Sequence, residues 1–154
     1  MARFENFRMW RGRLPHWRAD HETYFVTFRY RRPLSDAERT LLIRALLTTS
    51  RRGLELHAIA VMAEEAQLIF EVAKNDLELS DSIEAAKRKA GKQIIKGTGE
   101  RFPPFYAESF DRIIRDEAEY ETLWLTLVDL PVAAEEVDDP SDSPFVWVRE
   151  SPDA

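Results

Sequence analysis

From Glu22 to Leu130 the apolar residues change period repeatedly, from two to 3.6 and back, and this alternation restricts the chain to a sheet crossed by helices. Tyr24, Val26, Phe28 and Tyr30 share one face of an extended segment, so residues 22–30 are predicted as a strand. Ser35-Asp36-Ala37-Glu38 then has the form of a capping box, with Leu42, Ile43, Leu46 and Leu47 following at helical spacing. That helix should end near Ser50. Residues 54–62 and 67–73 read as two strands of a hairpin that turns at Ala63-Glu64-Glu65. A second helix is predicted from Ser80 or Asp81 to about Lys96, ahead of Gly97-Thr98-Gly99. An extended piece over 105–114 follows the Pro103-Pro104 loop. A third helix, from Asp116 to about Leu130, presents Tyr120, Leu123, Trp124 and Leu127 on one face and should stop at Pro131. The order β-α-β-β-α-β-α implies an α+β, ferredoxin-like fold: a four-stranded antiparallel sheet with helices packed on one face, followed by a C-terminal helix and an acidic tail.

A chain of 154 residues is enough for one sizeable core. Runs such as Leu41-Leu42-Ile43 and Leu68-Ile69-Phe70 are too short to span a bilayer, so no membrane partner is expected. With no cysteine, a disulfide framework and a thiolate metal site are excluded. The first residues, MARFENFRMWRGR, are basic with no apolar stretch behind them, so the expectation is a cytoplasmic protein without a secretory signal. The formal charge of −6 hides a gradient. Residues 1–50 carry ten basic against five acidic side chains, and residues 101–154 carry four against fourteen. A basic face available to phosphate is therefore joined to an acidic end that can screen it or keep the chain soluble.

Two features carry the positive charge. On a wheel of the second helix Ile83, Ala86, Ala90 and Ile94 point one way, while Arg88, Lys89, Lys92 and Lys96 cluster opposite, as a solvated face or a row of phosphate contacts. At the N-terminus Arg11, Arg13 and Arg18 flank His16 and Trp17, where tryptophan can stack on a base or pack on the sheet. His57, inside an apolar strand, reads as structural. Gly97-Thr98-Gly99 lacks the order of a phosphate loop and follows a helix instead of a strand.

Several ordered pieces bear on function: Arg13-Leu14-Pro15-His16-Trp17, Tyr24-Phe25-Val26-Thr27-Phe28-Arg29, Leu56-His57-Ala58 leading to Val61-Met62, the run Phe110 to Glu117, and Pro131-Val132. In order and spacing this set resembles the REP-associated tyrosine transposases, single-tyrosine HUH enzymes that nick and join DNA. The resemblance implies a transposase-like domain over residues 1–134, with its basic arm, and an acidic tail over 135–154. Relatives follow the Val-Met pair with two histidines at i and i+2 of a strand, which hold Mg²⁺ or Mn²⁺ at the scissile phosphate. By the resemblance those places fall at Glu65 and Gln67, roughly 7 Å apart along a strand. The nucleophilic tyrosine of relatives lies five residues before the proline of an Asn-Pro-Val motif. Counting back from Pro131 gives Thr126, and the polar residue one turn later, expected from the resemblance to complete the metal site, becomes Leu130, which cannot ligate.

Two oxygen donors are few for a hard cation, and a threonine with no evident histidine base is a poor nucleophile. The expectation is therefore a transposase-like DNA-binding protein for hairpin or single-stranded DNA, without cleavage, strand transfer or a required cofactor. The alternative is a protein-interaction or structural module on the same scaffold, with a protein partner or a second copy of the chain.

Overall fold

A computed structural model describes residues 21–50, 54–72 and 79–149. The alternating segment forms β1 (Glu22–Arg29), which leads into α1 (Asp36–Leu47). The hairpin strands are β2 (Leu54–Val61) and β3 (Glu65–Val72), and α2 (Leu79–Thr98), β4 (Phe110–Ile114) and α3 (Glu117–Ala133) follow. A short 3-10 turn, Pro140–Asp142, precedes β5 (Val146–Val148). The sheet order is β4-β1-β3-β2-β5, with every neighbouring pair antiparallel. The expected α+β fold is present with one strand more than anticipated. β5 pairs with the outer edge of β2, where Val61 N–H donates to Phe145 O (2.9 Å) and Arg149 N–H to His57 O (2.9 Å). Three residues are too few to show a period of two, and Pro140 and Pro144 disguise the return of the chain.

Both faces of the sheet are covered. Val26, Phe28, Leu56, Ile59, Leu68 and Phe70 meet α1 and α2 through Leu42, Leu46, Ile83, Ala90 and Ile94. Ala58, Ala60, Ile69 and Ile114 meet α3 through Tyr120, Trp124, Leu127 and Val128. β2 serves both faces because its register slips against β3 between Leu56 and Ala58. The extra residue is His57, and a bulge of this kind reverses the parity of the strand. Leu54 and Leu56 therefore share a face with Ile59 and Val61. His57 lies with Nδ1 2.6 Å from the hydroxyl of Tyr120 and Nε2 3.8 Å from Glu71 Oε1. Burial holds the Tyr120 phenol neutral well above its ordinary range. Its O–H then donates to Nδ1, leaving the ring proton on the side of Glu71.

The caps follow the sequence. Ser35 Oγ accepts from Glu38 N–H (3.2 Å) and Glu38 Oε1 accepts from Ser35 N–H (2.9 Å), completing the box that opens α1. α3 begins with Asp116 accepting from Glu119 N–H (2.8 Å). Pro131 does not stop α3, contrary to expectation; the helix runs on to Ala133. In a last turn the missing proline N–H forfeits one bond, and the residues beyond still find acceptors. Glu136 N–H donates to Pro131 O (2.9 Å) and Glu135 N–H to Val132 O (3.0 Å), a Schellman closure that puts Glu135 at φ 61°. That left-handed position suits glycine. Glu135→Gly is expected to raise stability by about 0.5–1 kcal/mol, read as a higher urea midpoint at an unchanged slope.

Candidate nucleic-acid interface

β1, the β2–β3 turn and the end of α3 converge on an open cleft of about 920 Å³. Arg29 and Arg31 line it from the end of β1, Glu64 and Glu65 from the turn, Tyr106 from the loop before β4, and Leu130 from α3. Of the residues singled out by the resemblance, the fold thus brings Glu65 and Leu130 to one place. Gln67 shares with Ile69 the strand face turned toward α3, and its amide donates to Glu65 Oε1 (3.1 Å). Thr126 is exposed on α3 and does not line the cleft.

The resemblance implies a divalent cation here, and the donors present fit one poorly. A hard cation asks for six or more oxygens, whereas this spot offers one carboxylate and one amide already bonded to each other, beside an aliphatic Leu130. Among the described residues no group of three or more His, Cys, Asp or Glu is placed to hold a metal ion.

The charges around the cleft differ in what they leave free. Arg32 is fully engaged: it holds Glu38 through two parallel bonds (2.8 and 2.6 Å) and also Glu100, tying the start of α1 to the loop after α2. Arg39, buried, donates to Val61 O (2.9 Å) and Glu136 (2.8 Å) with its guanidinium over the Phe145 ring at 3.8 Å. Arg31 donates from Nε to Phe105 O (3.3 Å) and lies over the Tyr106 ring, 5.4 Å from its centroid. Arg29 is exposed and forms no ion pair with the described residues.

The bonds from Arg32 hold the Glu38 carboxyl down to about 2, partly offset by its burial. A carboxylate whose folded value is depressed contributes stability present above its unfolded value and lost as pH falls through the folded one. Stability is therefore expected to decline from the ordinary glutamate range down to about pH 2. Glu38→Gln keeps the capping acceptor and should flatten that part of a urea-midpoint titration. An unchanged acid limb would show that the ion pair contributes nothing.

Arg88, Lys89, Lys92 and Lys96 are all exposed on the outer side of α2, as the wheel indicates. They do not form one groove with the surroundings of Thr126, because α2 and α3 pack on opposite faces of the sheet. The connection from α2 to the cleft runs through the Glu100–Arg32 bond of the loop after it and through Lys87, which donates to Tyr106 O (3.2 Å). Lys87, next to the stripe in sequence, is buried instead. Arg11, Arg13, His16 and Trp17 lie outside the described residues. Sequence reasoning missed Arg29, Arg31 and Tyr106; the run Arg29-Tyr30-Arg31-Arg32 at a strand end was the available signal for the first two.

No family model matches the chain, and no curated protein matches it in sequence. Among solved structures, that of a REP-associated tyrosine transposase bound to a REP hairpin aligns with a TM-score of 0.63 at 22% identity, covering 85% of this chain and 81% of that one. The fold is that of this transposase. A candidate transposase from Deinococcus radiodurans R1 aligns at a TM-score of 0.47 and 12% identity, over 72% of this chain and 92% of its own. No helix among the described residues is long and apolar enough to cross a membrane.

Proposed function

We propose that this chain is a degenerate relative of the REP-associated tyrosine transposases that binds hairpin or single-stranded DNA and neither cuts nor rejoins it. The observation that carries this reading is the cleft: on a transposase fold, the place that the resemblance gives to the metal site holds Glu65 and Leu130, while Arg29, without an ion pair among the described residues, stands beside them. A guanidinium without a carboxylate partner can still meet a phosphate, which needs no metal. Arg88, Lys89, Lys92 and Lys96 supply further backbone contacts along α2.

The test is binding of a labelled REP-type hairpin and of random single strands across a salt series. Each lost phosphate contact lowers the slope of log affinity against log salt by roughly 0.7–0.9. Lys92→Glu with Lys96→Glu should therefore weaken binding and flatten the slope by about 1.4–1.8 if both lysines touch phosphate. With Mg²⁺ or Mn²⁺ added, denaturing gels should show no protein–DNA adduct, and a covalent adduct would refute the loss of chemistry. A second reading, a protein-interaction module, is favoured by Glu64, Glu65 and Glu136 lining the same cleft. The absence of any binding at low salt would remove the first reading.

A further inference from the structure

Among the exposed large apolar side chains of the described residues, Tyr106 is the one that lines the cleft, and it is 46% exposed. Its backbone is held from several sides. Arg31 N–H donates to Pro104 O (2.6 Å), Arg31 Nε to Phe105 O (3.3 Å), and the buried ammonium of Lys87 to Tyr106 O (3.2 Å), Glu108 O (3.1 Å) and Ser109 Oγ (2.7 Å). The preceding Phe105 is buried edge-on against Phe28 and Tyr30. A close approach from below completes the support: a Cβ at Gly91 of α2 would lie 2.8 Å from Pro103 Cβ, so only glycine leaves the loop room there. The loop therefore presents the phenol ring on a backbone held in place, and the ordering cost of that backbone is met during folding rather than on binding.

We infer that Tyr106 and Arg31 form a stacking site for one unpaired base of a DNA strand, with Arg29 receiving the adjoining phosphate. The inference rests on the DNA-binding reading above and names the part of the ligand that the cleft takes. A ring flanked by a guanidinium suits a flat π-system, and Arg29 on the same cleft, exposed and without an ion pair among the described residues, is available to an anion. A nucleotide supplies both. A cleft of about 920 Å³ is large enough for a nucleotide.

The test compares the full chain with Tyr106→Ala and Tyr106→Trp for binding a fluorescein-labelled single-stranded oligonucleotide, a set of the same oligonucleotides each carrying one abasic position, and a blunt fully paired duplex. Tyr106→Ala should weaken single-strand binding roughly 5- to 150-fold, the loss expected for one stacked base. Tyr106→Trp should retain it, and duplex binding should not change. One abasic position should weaken the parent chain by a similar factor and make it insensitive to Tyr106→Ala. If Tyr106→Ala binds single strands as tightly as the parent while Arg29→Glu or the α2 charge reversals weaken them, DNA binding stands and the stacking site is refuted. If the parent binds no DNA at low salt, both readings fall together.

Discussion

Trp124→Ala is expected to cost roughly 3–5 kcal/mol of folding stability, a large fraction of what a domain of this size possesses. Trp124 is 0% exposed and heads the fully buried side chains by size. It sits at the centre of the apolar face of α3 and belongs to the cluster in which the sheet contributes Ala58, Ala60, Ile69, Ile114 and Val148. Both residues that β2 supplies are alanines, so the sheet is low along that strand and the indole fills space there. With the indole removed, no neighbouring alanine can extend into the gap, and the cavity term adds to the lost transfer energy. Urea unfolding followed by circular dichroism should show the drop in midpoint, with Trp124→Phe between the two. A loss below about 1 kcal/mol would mean that α3 is held by its ends and not by this face. Binding should weaken as well, because Leu130, on the cleft, is carried by the same helix.

Much of the fold was legible because its signals are local. The parity of Tyr24, Val26, Phe28 and Tyr30, the Ser35–Glu38 box and the wheel of α2 each depend on a few consecutive residues, and each appears in place. What was not legible depends on partners distant in sequence. The His57 bulge is invisible to a period count because it exists only relative to β3, and β5 becomes a strand only because β2 has a free edge. Pro131 misled for a related reason: its effect depends on how far it lies from the helix end, which Glu135 determines by turning left-handed. In the candidate site, the strand facing of Glu65 and Gln67 follows from spacing, whereas their surroundings do not. Tyr106 reaches the cleft through a loop whose path is determined by Lys87 and Arg31, and no short-range pattern announces it. The wheel also draws no line between Lys87 and Arg88. They are neighbours, one under the loop and one in solvent, and the difference lies in what packs above them.

Lys87→Met should be the most destabilising change available among the cations of α2, by about 2 kcal/mol. The ammonium donates to Tyr106 O, Glu108 O and Ser109 Oγ, interacts with Glu84 at 3.4 Å, and lies 4.6 Å from the centroid of the Phe28 ring. Burial pushes its pKa below the ordinary lysine value, with Glu84 pulling the other way. Methionine matches the length of the stem and removes that desolvation cost, which limits the loss. It also leaves two carbonyls and a hydroxyl without their donor, and unmade bonds to a charged group outweigh the relief. The same substitution separates stability from function. Tyr106 is untouched, yet its backbone loses the bond at its own carbonyl, so amide exchange should accelerate over residues 106–109 beyond what the global stability change explains. Single-strand affinity should fall while duplex affinity holds. Arg88→Met, one residue along and exposed, should leave both the stability and that exchange pattern unchanged and weaken the two DNA forms alike. If Lys87→Met matched Arg88→Met in all three measurements, the buried ammonium would not be what positions the Tyr106 loop.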